Sequence, residues 1–103
     1  MVDQIIEILC EEANLYDIRL VDEDRKGAIY LRQHRLHINP RFLDERAETF
    51  THEMLHHYYD QISVIRLGSN EESVIEMEMQ TLMKSRTNKN YILDYLKRRG
   101  IDG

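Results

Sequence analysis

Apolar residues near the start of the chain fall at helical spacing: Ile5, Leu9 and Ala13 at i, i+4 and i+8, with Ile6 and Cys10 alongside. The spacing predicts a helix over residues 2–15, with Cys10 inside it as a small buried hydrophobe. The period then drops to two. Residues 17–22 read as a strand with Ile18 and Leu20 on one face. Ala28 to Gln33 reads as a second, Ile29 and Leu31 inward, Tyr30 and Arg32 outward. Leu36 to Asn39 reads as a third, with Leu36 and Ile38 inward. Asp24-Arg25-Lys26-Gly27 and His34-Arg35 are the turns, and three short strands on short turns predict an antiparallel meander.

Pro40 stops the third strand. A second helix is expected to begin between Asn39 and Asp44 and to run to about Tyr59. Residues 60–70 read as a loop. Ser69-Asn70-Glu71-Glu72 matches the S-x-x-E capping box, which places a third helix from there to about Ser85. Thr87 or Asn88 can cap a fourth, carrying Ile92, Leu93 and Leu96 with Tyr91 and Tyr95 adjoining, and Gly100 ends it. One helix, three strands and three helices make an α+β chain, expected to form a single domain over residues 1–103.

Composition narrows the class. With 42% hydrophobic residues, one Pro and four Gly in 103 residues, the chain is neither disordered nor collagen-like. A single cysteine excludes an intrachain disulfide, so a metal is the staple open to a domain this small. No apolar run reaches the roughly 18–20 residues needed to span a bilayer, and the acidic N-terminus is no secretory signal, so cytoplasmic residence is expected. The net charge is -5, but residues 84–103 hold six Lys/Arg against two acids. Lys97, Arg98 and Arg99 fall where cations offset the dipole of a closing helix. The acidic bulk argues against a dedicated nucleic-acid binder.

His52-Glu53-Met54-Leu55-His56 is an H-E-x-x-H sequence inside the second predicted helix. Two His four apart project from one face and can share one ion, and Glu53, about 100° round the helix, can approach a water on that ion without ligating it. Placement strengthens the match: Ala47, Phe50, Met54, Leu55 and Tyr58 cluster on one side, and His52 and His56 fall nearly opposite, with Tyr59 close by.

Catalytic zinc takes three protein ligands and keeps one position open. No His follows residue 57, and Ile62 stands where an extended H-E-x-x-H-x-x-G-x-x-H motif needs its third His. The candidates are His34 and His37 upstream, and Asp60, Glu71, Glu72, Glu76 and Glu78 downstream. Ile75, Met79, Leu82 and Met83 set the apolar face of the third helix; Glu76 lies on its flank, where a residue emerges towards a neighbouring helix. Glu72 lies nearer the centre of the stripe but already has a capping role, so Glu76 is favoured.

In three segments the sequence resembles the ImmA/IrrE family of gluzincin-like zinc metallopeptidases: Leu36-His37-Ile38-Asn39-Pro40, Thr49-Phe50-Thr51-His52-Glu53-Met54-Leu55-His56, and residues 76–83. The family pattern is an I-x-I-N-P-like strand end, F-T-x-x-H-E-x-x-H, and E-x-E-A-N-x-F-A on a later helix. Overlaying the last segment also puts the ligand on Glu76. Leu55 stands where the family usually has Gly, Phe50-Thr51 lies directly before His52, and Met79-Gln80 replaces Ala-Asn. The resemblance implies a minimal zincin-like fold and a cytosolic zinc peptidase that cuts an intracellular protein or peptide, with a regulatory protein as a further partner.

The expected function is therefore zinc-dependent peptide hydrolysis, with Zn²⁺ on His52, His56 and Glu76 and with Glu53 as general base. A second donor to the oxyanion is expected from Tyr59, Tyr91, Tyr95 or His57. A sheet edge, with His37 and Tyr30 beside it, can take substrate as an added strand. The alternatives are a non-catalytic zinc-stapled interaction module and a nucleic-acid-associated regulator using the basic C-terminal helix.

Overall fold

The computed structural model describes residues 1–102. Helix α1 (Gln4–Ala13) buries Ile6, Leu9, Cys10 and Ala13, the predicted stripe. Strands β1 (Asp17–Leu20), β2 (Gly27–Tyr30) and β3 (Arg35–Ile38) follow, then a 3-10 segment (Pro40–Glu45). Three helices complete the order: α2 (Arg46–Gln61), α3 (Glu71–Met83) and α4 (Arg86–Arg98). The architecture is α+β. Among the described residues no helix is long and apolar enough to cross a membrane.

The sheet is mixed, not an antiparallel meander. Its order is β1-β3-β2, with β1 parallel and β2 antiparallel to β3. Alternation reports which side chains share a face, and that part of the pattern holds: Leu36 pairs with both Ile18 and Ile29, so the three form one row. It does not report strand order. Leu36 and Ile38 are fully buried, and their strand takes the centre, whereas β1 buries only Ile18 and leaves Leu20 41% exposed. The β1–β2 connection cannot then be a hairpin, and a buried side chain stabilises it instead. Asn39 is fully buried, and its Nδ2 donates to the carbonyls of Glu23 at 2.7 Å and Arg25 at 2.9 Å. β2 stops at Tyr30, and Leu31–His34 form the turn to β3, closed by His34 at φ 53.

Helix α2 runs through the middle of the molecule, packed on α1, α3, α4 and the inner face of β2 and β3. Ala47, Phe50, Met54 and Leu55 are fully buried, as the pattern predicted. The capping expectations shift. No side chain caps α3, so the Ser69–Glu72 box does not form. Helix α4 is capped by Ser85, whose Oγ accepts from the Asn88 amide at 3.2 Å. Asn88 is buried and joins the other end of the chain, with Nδ2 donating to Asp3 at 2.8 Å and to the Leu82 carbonyl at 3.0 Å. Gly100 ends α4 at φ 80. Lys97 and Arg98 occupy its last turn, but Arg99 does more than offset a dipole: its guanidinium donates to the carbonyls of Ala13 at 3.0 Å and Tyr16 at 2.6 Å.

Candidate metal centre

His52 and His56 stand one turn apart on the half-buried side of α2, ring centroids 5.3 Å apart. Helix α3 crosses that side and brings three carboxylates to the two rings. On the Nδ1 side, His52 meets Glu76 Oε1 at 2.9 Å and His56 meets Glu71 Oε2 at 2.6 Å. On the Nε2 side both rings meet one carboxylate, that of Glu72, at 3.3 Å from His52 and 2.6 Å from His56. One donor atom from each of His52, His56 and Glu72 lies within 4.8 Å of the others. Glu76, favoured by helix position, contacts the imidazole through the opposite nitrogen. It also accepts from Gln80 Nε2 at 3.1 Å. Glu72, which the capping box set aside, is free of any cap and turns to the histidines.

The donor chemistry points to a cation. An ionised carboxylate only accepts hydrogen bonds, so in a neutral ring the contact to Glu76 or Glu71 would put the one proton on Nδ1. Both Nε2 atoms are then lone-pair acceptors, and they face Glu72, a third acceptor. That arrangement is repulsive unless positive charge lies between, as a proton on each ring or as one shared metal ion. Donors in a tetrahedral zinc site with bonds of about 2.0–2.1 Å stand roughly 3.4 Å apart. The 3.3 and 2.6 Å separations run to different oxygens of Glu72, and with the three donors within 4.8 Å of one another, shifts on the order of 1 Å bring one oxygen and both Nε2 atoms to that spacing. Glu72 is 72% exposed and has room to move.

Glu53 lies beside the cluster. Burial pushes its carboxyl above the ordinary glutamate range; the His52 and His56 charges oppose this and Glu72 reinforces it. Two cavities, of about 620 and 410 Å³, meet there. Arg25, Gly27, His52 and Glu53 line both. The larger runs between α2 and α3 over Thr49, Met79 and Met83, and the smaller runs along β2 from Ala28 to Leu31. β2 is an edge strand, so one side of its backbone faces no other strand. Gly27 lets it approach: a Cβ there would overlap Thr49 Cγ2 and stand 2.9 Å from the His37 carbonyl and 3.6 Å from Glu53 Cγ. Nothing in the linear pattern singled out Gly27 beyond its place in a turn.

The other candidates fall elsewhere. Fully buried His57 lies between Glu12, to which Nε2 donates at 2.8 Å, and the Tyr16 hydroxyl, 2.8 Å from Nδ1. Tyr59 donates to Glu78 at 2.6 Å, and Tyr95 donates to Asn14 at 2.8 Å. Tyr91 packs half-buried against the core. None of these four lines either cavity. His37 pairs with Glu23 at 3.1 Å, edge-on to Tyr30, which does line the smaller cavity. His34 sits in its turn against Tyr16, and Asp60 is exposed. No protein-family model, curated protein or solved structure matches the chain.

Proposed function

We propose that this chain is a zinc-dependent peptidase, with His52, His56 and Glu72 as the metal ligands and Glu53 as general base. The observation that carries the reading is the convergence of both Nε2 atoms and the Glu72 carboxylate while each Nδ1 is engaged by a separate carboxylate. Glu76 and Glu71 then orient the rings and raise their basicity, and neither is a ligand. The group offers three donors, and an exposed Glu72 leaves it open to solvent; a structural zinc site is closed by four. The resemblance of three segments to the ImmA/IrrE peptidases supports the same class.

His52, His56 and Glu72 would hold a zinc ion that, when bound, would supply Lewis-acid chemistry for a carbonyl and for the attacking water. The rest falls to the chain's own side chains. Glu53 lines both cavities without joining the ligand group, so its carboxylate is placed to take the proton of the attacking water and pass it to the leaving amine. Burial raises its proton affinity above that of a solvated glutamate. The free edge of β2 offers backbone groups to an extended peptide, which would run past His52 and Glu53 as an added strand.

Glu53→Gln tests the assignment. The variant should bind one zinc per chain, as the parent does, and lose peptide hydrolysis by at least about 10²-fold. Loss of zinc from this variant would make Glu53 a ligand, and retained hydrolysis would remove it as the base.

A further inference from the structure

Zinc-dependent hydrolysis builds negative charge on the carbonyl oxygen of the bond being cut, and a second fixed donor beside the metal stabilises it. Tyr59, Tyr91, Tyr95 and His57 lie outside both cavities. Three residues with cationic side chains are among those lining them: Arg25, Lys26 and Lys84. Lys26 and Lys84 reach the larger cavity only, and Lys26 is paired with Glu45 at 2.8 Å. Arg25 alone stands where the cavities meet, together with His52 and Glu53.

Its surroundings hold it in place. The backbone of residues 23–25 hangs on the buried Asn39 amide. Arg25 Nε donates to Glu23 at 3.2 Å, and Nη2 donates to the Tyr30 hydroxyl at 2.9 Å. Glu23 is itself fixed by His37 at 3.1 Å. Two of the three guanidinium nitrogens are thus tied to strand and turn, and Nη1 has no hydrogen-bond partner among the described residues. An exposed arginine on a flexible stem rarely has this much support, and a donor fixed before substrate arrives needs no reorganisation when charge develops.

We infer that Arg25 is a catalytic residue whose guanidinium binds the oxyanion developing on the scissile carbonyl, at the junction of the two cavities. The inference rests on the peptidase reading above and adds the group that zinc and Glu53 do not supply. Glu23, Tyr30, His37 and Asn39 are its positioning residues.

Arg25→Gln and Arg25→Lys, zinc-loaded, are compared with the parent on an internally quenched peptide pool that is N-acetylated and C-amidated. Affinity for a phosphinic peptide, a tetrahedral anion, is measured alongside. Arg25→Gln should keep its thermal midpoint and one zinc per chain, lose about 10²–10³-fold in kcat with little change in KM, and bind the phosphinic peptide correspondingly more weakly. Arg25→Lys should recover part of both. Unchanged kcat and phosphinic-peptide affinity in Arg25→Gln, with an active parent, overturns the role of Arg25 alone. A raised KM at constant kcat makes Arg25 a binding anchor and also overturns it. A zinc-loaded parent that neither cuts the pool nor binds the phosphinic peptide removes the peptidase reading and Arg25's role together.

Discussion

Gly27 sets the gap between β2 and α2 at the point where Glu53 stands. A methyl group there meets Thr49 Cγ2 and the His37 carbonyl, one a side-chain tip and the other backbone. Gly27→Ala should cost about 1–3 kcal/mol in urea unfolding, and Thr49→Ala in the same chain should return only part of it, since the carbonyl cannot withdraw. Burial leaves other signatures. The Cys10 thiol is pushed up to about 12, so it should resist alkylation at pH 8 until the chain unfolds. Tyr16 is likewise pushed up to about 12, mainly by burial, with Asp60 and Glu12 adding. An unfolded tyrosine ionises near pH 10, so stability is intact below that pH and falls between about 10 and 12, as the unfolded chain gives up its proton first. Tyr16→Phe should remove a late step from the ultraviolet titration and flatten that fall. At this scale the sequence was legible where chemistry is local. H-E-x-x-H placed both imidazoles and Glu53 on α2, and the stripe on α1 placed Cys10. The third carboxylate was harder. Glu72 and Glu76 lie one turn apart on α3; position on the helix flank and the family overlay favoured Glu76, and a capping box that does not form set Glu72 aside, whereas both carboxylates contact the imidazoles.

Between elements, the closing helix holds the opening one. Arg99, at the end of α4, donates to two carbonyls at and beyond the C-terminus of α1 and to the Tyr95 hydroxyl, which itself donates to Asn14. The Ala13 carbonyl closes α1 and also accepts from the Tyr16 amide, and the Tyr16 carbonyl lies beyond the helix; a part-buried charged donor to them is worth more than a surface ion pair. Arg99→Gln should lower stability by about 1–3 kcal/mol, whereas Arg98→Gln, in the same basic cluster but exposed, should change it by less than about 0.5 kcal/mol. In the sequence Lys97, Arg98 and Arg99 all read as cations offsetting the dipole of a closing helix, since helical phase alone cannot show that the chain beyond α1 turns back under α4. The sheet teaches the same lesson. Alternation assigned Ile18, Ile29 and Leu36 to one face, and the structure keeps that row. Strand order depends on Asn39, whose role as a clamp for residues 23–25 is a contact across 14 and 16 positions. That order puts β2 on the edge, beside the cluster.

At the scale of the whole molecule, one core joins α1, the sheet, α2 and α4, and α3 lays Glu71, Glu72 and Glu76 over the half-buried side of α2. With Glu53 they make four carboxylates around two rings in a chain of net charge -5. Without a cation their mutual repulsion works against the α2–α3 contact. Metal binding should therefore appear as stability: zinc at 100 times its Kd adds about 2.7 kcal/mol, which for a chain this size raises Tm on the order of 10 °C, and a chelator should reverse it. The measurement that bears most directly on the account is the zinc-binding isotherm of the parent beside Glu72→Ala and Glu76→Ala. With Glu72 as ligand and Glu76 as orienting partner, the parent should bind one zinc per chain, Glu72→Ala should lose nearly all affinity, and Glu76→Ala, where a ring loses its orienting partner but the ligands remain, should lose about 10–100-fold. Tight binding retained by Glu72→Ala and abolished in Glu76→Ala would contradict it and return the third ligand to Glu76.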